Sequence, residues 1–133
     1  MRLVLDTNIL ISAIIYGGKP RIVHELIINK EHIGFTSPVL LAELSDVLRK
    51  KFSYTESAIA SIERQIRKYY HMVLPRELID ILRDIADNRV LEAGIEGECD
   101  VIISGDIDLL KLGTYRAIKI ITPAAFFAFS LKR

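Results

Sequence analysis

The chain has 133 residues, half of them hydrophobic and 26% charged, which excludes a disordered or fibrous protein and predicts one globular domain over residues 1–133. The single cysteine, Cys99, excludes a disulfide framework and a thiolate metal cage, and His24, His32 and His71 lack the spacing of a zinc site. The net charge of +1 singles out no class of partner by itself.

Arg2–Leu5 is a short apolar strand that ends at Asp6. Arg2 and the run Ile9–Tyr16 faintly mimic a signal peptide, but Asp6 interrupts the apolar stretch and no small-x-small cleavage site follows. Asn8–Ile15 is apolar all round and ambiguous by period; Thr7 or Asn8 would cap it as a helix. Gly17 to Pro20 break the chain, and Ile22, Val23, Leu26 and Ile27 continue with helical spacing to about Asn29. Ile33–Thr36 is a strand. Ser37-Pro38 opens a helix with Leu40, Leu41, Leu44, Val47 and Leu48 as its buried stripe. Ser53-x-x-Glu56 reads as a capping box for the next helix, which carries Ile59, Ile62, Ile66 and Tyr69 or Tyr70.

Met72–Leu74 and Ile79–Leu82 read as short strands. Asp87–Ile95 is a helix ended by Gly97, Val101–Ser104 a strand, Asp106–Leu110 a short helix and Ile118–Ile121 a strand. Thr122-Pro123 starts a last helix bearing Phe126, Phe127 and Phe129; three aromatics there point more than one way, which predicts a homodimer. The apolar stretch Ile120–Leu131 contains Pro123 and is too short to span a bilayer, so no membrane association is expected and the cytoplasm is the expected location. Strands alternating with helices predict an α/β fold, a parallel sheet with helices on both faces.

The carboxylates carry the chemistry. Asp6, and Asp106 with Asp108, follow apolar strands, and carboxyl ends of parallel strands line the crevice where α/β folds bind ligands. Each also has a plain structural explanation: Asp6 as a helix cap, Asp106 and Asp108 as turn residues after Gly105. Glu43 is more telling. It lies at the edge of a leucine stripe with Val39, Leu40, Asp46 and Val47 three and four residues away, so its own helix offers it no cation. Asp87 opens a helix, where a plain capping role alone would account for it, and it keeps its charge readily there; Asp84 is a weaker candidate. Together these acids make an oxygen-only donor set suited to Mg²⁺ or Mn²⁺. With Asp6, Glu43, Asp87, Asp106 and Asp108 set aside, 12 acids remain against 18 basic residues, so a neutral total hides a basic surface around an acidic hole. That arrangement suits a polyanion.

The stretches LDTNILISA, SPVLLAEL and DIADNRVLEAGIEGECDVIISGDIDLLKL resemble the PIN-domain ribonucleases over essentially the whole chain, and within them the branch of toxin components of toxin–antitoxin pairs. The resemblance implies a three-layer α/β/α sandwich with a parallel sheet of about five strands, and endonucleolytic cleavage of single-stranded RNA by a water activated on one or two Mg²⁺ or Mn²⁺ ions. It places the acidic quartet on Asp6, Glu43, Asp87 and Asp106, with Asp108 as an auxiliary acid and Asn8 and Ser104 as supporting polar residues. It also implies homodimers and an antitoxin protein partner. Ile85 departs from the branch, which usually has proline there.

Arg49, Lys50 and Lys51 at the end of one helix, and Arg64, Arg67 and Lys68 along the next, are candidates for tracking an RNA backbone; a solvated face partly neutralised by Glu63 is the alternative. Two other functions fit less well. An aspartyl-phosphate enzyme needs an acid where Asn8 stands or a lysine at the end of Ile118–Ile121, and Lys119 lies near its start. A non-catalytic RNA-binding or protein-interaction scaffold would be expected to lose one of the four acids.

Overall fold

The computed structural model describes residues 1–131. The strands β1 (Arg2–Leu5), β2 (Ile33–Thr36), β3 (Tyr70–Met72), β4 (Val101–Ile103), β5 (Thr114–Tyr115) and β6 (Ile118–Ile121) form one sheet in the order β3-β2-β1-β4-β6-β5. All neighbours are parallel except β5 and β6. The central strands β1, from Leu3 on, and β4 are apolar at every position because both faces are covered. Leu3, Leu5 and Ile103 point to one face, where α1 (Thr7–Ile15), α2 (Gly18–Ile28), α3 (Pro38–Phe52), α4 (Glu56–Tyr69) and α7 (Pro123–Leu131) contribute Ile9, Val23, Leu44, Ile66 and Phe126. Val4, Ile102 and Ile120 point to the other, against Leu91 of α5 (Ile85–Glu96) and Leu109 of α6 (Ile107–Leu112). This is the expected three-layer α/β/α sandwich.

Three local expectations fail and one strand was not expected. Ser53 does not cap α4: it ends α3 in the left-handed region (φ 56), and a cap needs extended backbone. Thr55 supplies the cap, accepting from Ala58 N at 3.1 Å. Ile79–Leu82 is no strand. Its N–H groups are taken by side chains of α5, Ile79 N by Glu92 (2.8 Å) and Ile81 and Leu82 N by Asn88 Oδ1 (3.1 and 2.9 Å). The third strand is Tyr70–Met72 rather than Met72–Leu74. Finally, β5 had no signal, because its turn to β6 uses Arg116 (φ 46) and Ala117 (φ 70) instead of the glycine or asparagine that marks such hairpins.

The last helix corrects the basis of the homodimer. Phe126 is fully buried, and Phe127 and Phe129 pack against the same core cluster, so the three rings do not divide between core and surface. Among the described residues, no helix is long and apolar enough to cross a membrane.

Candidate metal centre

β1 and β4 lie side by side, with Leu5 paired to Ile103, so their carboxyl ends deliver Asp6 and Ser104 to the same edge. Asp6 N donates to Ile103 O at 3.0 Å and Ser104 N to Ile121 O at 3.0 Å, which extends the ladder one step before each chain turns into a helix. Asp6 then caps α1: its Oδ1 accepts from Asn8 N at 2.8 Å and Ile9 N at 3.2 Å. Asp106 repeats the device on α6, with Oδ1 accepting from Asp108 N at 2.9 Å and Leu109 N at 3.1 Å. Capping and site are therefore not alternatives here, since a carboxylate has two oxygens and a cap consumes one.

Ser104 couples the two. Its buried hydroxyl donates to Asp6 Oδ2 and accepts from Asp106 N at 2.9 Å. Asp87 arrives from α5, which begins at Ile85 rather than Asp87; Asp84 caps it by accepting from Ala86 N at 3.0 Å. Asp87 thus sits in the first turn, buried, and its Oδ2 has no hydrogen-bond partner. Oxygens of Asp87, Asp106 and Asp108 lie within 4.8 Å of one another. Glu43 comes from α3, half-buried as its place on the helical wheel predicts.

Asp6, Asn8, Glu43, Asp87 and Asp106 line one cleft of about 260 Å³, together with Thr7, Val47, Asp84, Ala86 and Val90. Asp108 is not among the lining residues but joins Asp87 and Asp106 in the acid cluster, and Ser104, fully buried, bonds Asp6 and Asp106 from outside the lining. Among the described residues, no salt bridge involves an acid of this cleft; the paired acids are Asp46, Glu56, Glu77, Glu92 and Glu96. Crowding and burial show in the titration. Burial raises the Asp6 carboxyl above its usual range, opposed by the bonds from Ser104, Ile9 and Asn8 and reinforced by Asp106. Asp87 is pushed up to about 7, by burial first and then by Asp106, Asp84 and Asp6. An orphaned buried oxygen among like charges, with oxygen donors only, fits a hard divalent cation.

Thr7 and Asp84 have more to do with the site than their sequence signals indicate. Thr7 lines the cleft with its buried Oγ1 unpartnered. The only hint was its place directly after the strand-ending Asp6. Asp84 lines the cleft and raises Asp87, and its distance of three residues from Asp87 was its only hint.

The six basic candidates do not form one set. Arg49 is claimed by Glu56 (2.7 and 3.0 Å) and Asp46 (3.0 Å), and Lys50 lies 3.8 Å from Asp46. Among the described residues, no salt bridge reaches Lys51, Arg64, Arg67 or Lys68, and Glu63 takes Ser45 Oγ at 2.7 Å instead of Arg67.

A family model described as the PIN domain matches residues 2–108. Among solved structures, a chain of VapBC2 from Rickettsia felis, bound to a DNA fragment from their promoter, superposes with a TM-score of 0.63 at 14% identity. The match covers 90% of this chain and 97% of that one. No curated protein sequence matches the chain.

Proposed function

The chain belongs to the PIN-domain family, and from that premise we propose that it is a metal-dependent endoribonuclease acting on single-stranded RNA. The observation that carries the proposal is the buried Asp87 Oδ2, which has no partner in a cleft of five acids that no protein cation enters. Asp6, Glu43, Asp87 and Asp106, with Asp108 at the rim, would hold one or two Mg²⁺ or Mn²⁺ ions. Such an ion, when bound, supplies Lewis-acid chemistry that activates water and stabilises charge on a phosphodiester.

The rest is the work of the chain. Among the described residues no His, Cys, Lys or Ser lines the cleft, which agrees with a nucleophile drawn from solvent water rather than from a histidine-activated side chain. Ser104 fixes the spacing of Asp6 and Asp106 by bonding both. The caps leave the second oxygen of Asp106 unspent for a ligand and preset its direction. Asp87, its carboxyl pushed up to about 7 by burial and by Asp106, Asp84 and Asp6, must release its proton to act as a ligand.

Residues 1–133 are read as one nuclease domain. The resemblance to toxin components supports a place as the toxin of a toxin–antitoxin pair, with an antitoxin protein as partner, and it alone supports a homodimer. The lone Cys99, buried and with its thiol pushed up to about 12, suits the cytoplasm. The test is incubation of purified protein with unstructured RNA in Mg²⁺ or Mn²⁺ and in chelator. Cleavage is expected only with metal and only without Asp106→Asn; equal cleavage in chelator overturns the proposal.

A further inference from the structure

A second concave surface lies outside the acid cleft. It consists of two adjoining hollows of about 360 and 510 Å³ that share Lys68 and Tyr69 at the end of α4. Arg64 lines the first, and Lys30, His32 and His71 line the second; among the described residues no acid lines either. Lys30 reaches this place because it turns the chain between α2 and β2 in the left-handed region (φ 63). The edge strand β3 brings His71, exposed to solvent and stacked on Phe35 at 5.2 Å.

These cations differ from those on α3. Arg49 and Lys50 are spent on Asp46 and Glu56, whereas among the described residues no salt bridge reaches Lys30, Arg64 or Lys68. Unpaired cations in a concavity without acids raise the local concentration of a polyanion. The aromatic component adds a second match. Tyr69 lies under the Lys68 ammonium at 5.2 Å and is half-buried, so its ring is held in place beside the charge. Cations interleaved with fixed rings are the ordinary surface for single-stranded nucleic acid, in which phosphates and bases alternate.

The surface and the cleft both border one helical hairpin. α3 and α4 form an antiparallel hairpin joined by Ser45 to Glu63 and Arg49 to Glu56. Glu43, two residues before Ser45, faces the cleft, while Arg64, next to Glu63, faces the hollows. We propose that the hollows along α4 and β3 form a second phosphate-binding track, which holds single-stranded RNA at a distance from the bond that is cut. The track rests on the ribonuclease reading and adds to it where the flank of the substrate lies. It selects three residues as its cations, Lys30, Arg64 and Lys68, and excludes Arg49 and Lys50.

The test is binding of fluorescein-labelled oligouridine to the full chain in chelator, read by anisotropy across a salt series. The triple variant Lys30→Gln, Arg64→Gln, Lys68→Gln should bind about tenfold more weakly at low salt. Its log–log salt slope should be shallower by about 2, since each lost phosphate contact on a single strand removes about 0.7. Lys19→Gln should leave both unchanged, and the charge-keeping Lys30→Arg, Lys68→Arg should restore binding relative to their glutamine forms. Unchanged affinity and slope in the triple variant overturn the track. So does polyglutamate binding the parent as tightly as RNA, because the surface would then serve an acidic polypeptide. A parent that binds through these residues but never cleaves removes the ribonuclease reading and leaves the track. A parent that cleaves, with the triple variant binding normally, removes the track alone.

Discussion

At the amino end of the sheet, Arg2 gives two hydrogen bonds to Gly97 O (2.9 and 2.7 Å), stacks over Phe35 at 4.4 Å, and its backbone N–H meets Asp100 at 2.8 Å. The amino terminus of Met1 meets His32 at 3.0 Å. At the carboxyl end of the same strands, Asp6, Glu43, Asp84, Asp87 and Asp106 share a cleft with no basic lining residue among those described, and two buried oxygens there, Asp87 Oδ2 and Thr7 Oγ1, have no hydrogen-bond partner. Both ends are built from charged residues beside the same apolar strands. Around the start of β1 the charges meet partners within the chain and contribute to folding; the acid cleft leaves like charges unmatched and stores an attraction for something from outside. Charge that the fold does not satisfy is thus a better marker of a site than charge as such.

The contrast breaks most visibly on activity. Asp106→Asn should lower metal-dependent RNA cleavage by about a hundredfold or more, as loss of one electrostatic element of a hydrolytic site does, while Arg2→Ala should leave the cleavage rate of the folded protein unchanged. Gel assays of both variants at saturating Mn²⁺ check this; comparable losses in the two would erase the distinction.

Stability should respond in the reverse sense. Arg2→Ala loses two hydrogen bonds and a cation–π contact, and should cost about 2 kcal/mol in chemical denaturation.

The acidic end should also give the metal-free protein a pH dependence. Asp87 binds its proton more tightly folded, near 7, than unfolded, near 3.8. The folded state therefore gains stability below about 4 and loses it as pH rises through 7, by about 1–2 kcal/mol after allowance for the solvent in the cleft. Thermal melts in chelator from pH 5 to 8 should show Tm falling, and Asp87→Asn should flatten the trend. A parent whose Tm rises over that range would contradict the crowded-acid account.

The smallest effect sharpens the comparison further. In chelator, Asp6→Asn should match the parent or exceed it by on the order of 1 kcal/mol, because asparagine caps as well and removes a buried charge. Millimolar Mg²⁺ or Mn²⁺ should raise Tm of the parent and shift the variant much less. Equal shifts in both would show that Asp6 holds no metal.

Much of this was legible in the chain itself. Short β-branched runs between helical repeats fix a doubly covered parallel sheet, because only strands buried on both faces read as continuously apolar. Position at strand ends picked out Asp6 and Asp106, and the missing cation around Glu43 picked out that residue. Tertiary structure decided the rest. It brought strands β1 and β4 together across nearly a hundred residues, so that Ser104 could bond both Asp6 and Asp106. Polar side chains of α5, not a neighbouring strand, took the N–H groups of Ile79, Ile81 and Leu82. Sequence also treated Arg49 and Lys68 as equals, yet a fold-made bond to Glu56 consumes one and leaves the other facing a hollow. The physical reason is common to these cases. Periodicity and capping are local and survive in the sequence, whereas the partner that satisfies or fails to satisfy a polar group is chosen by contacts distant along the chain.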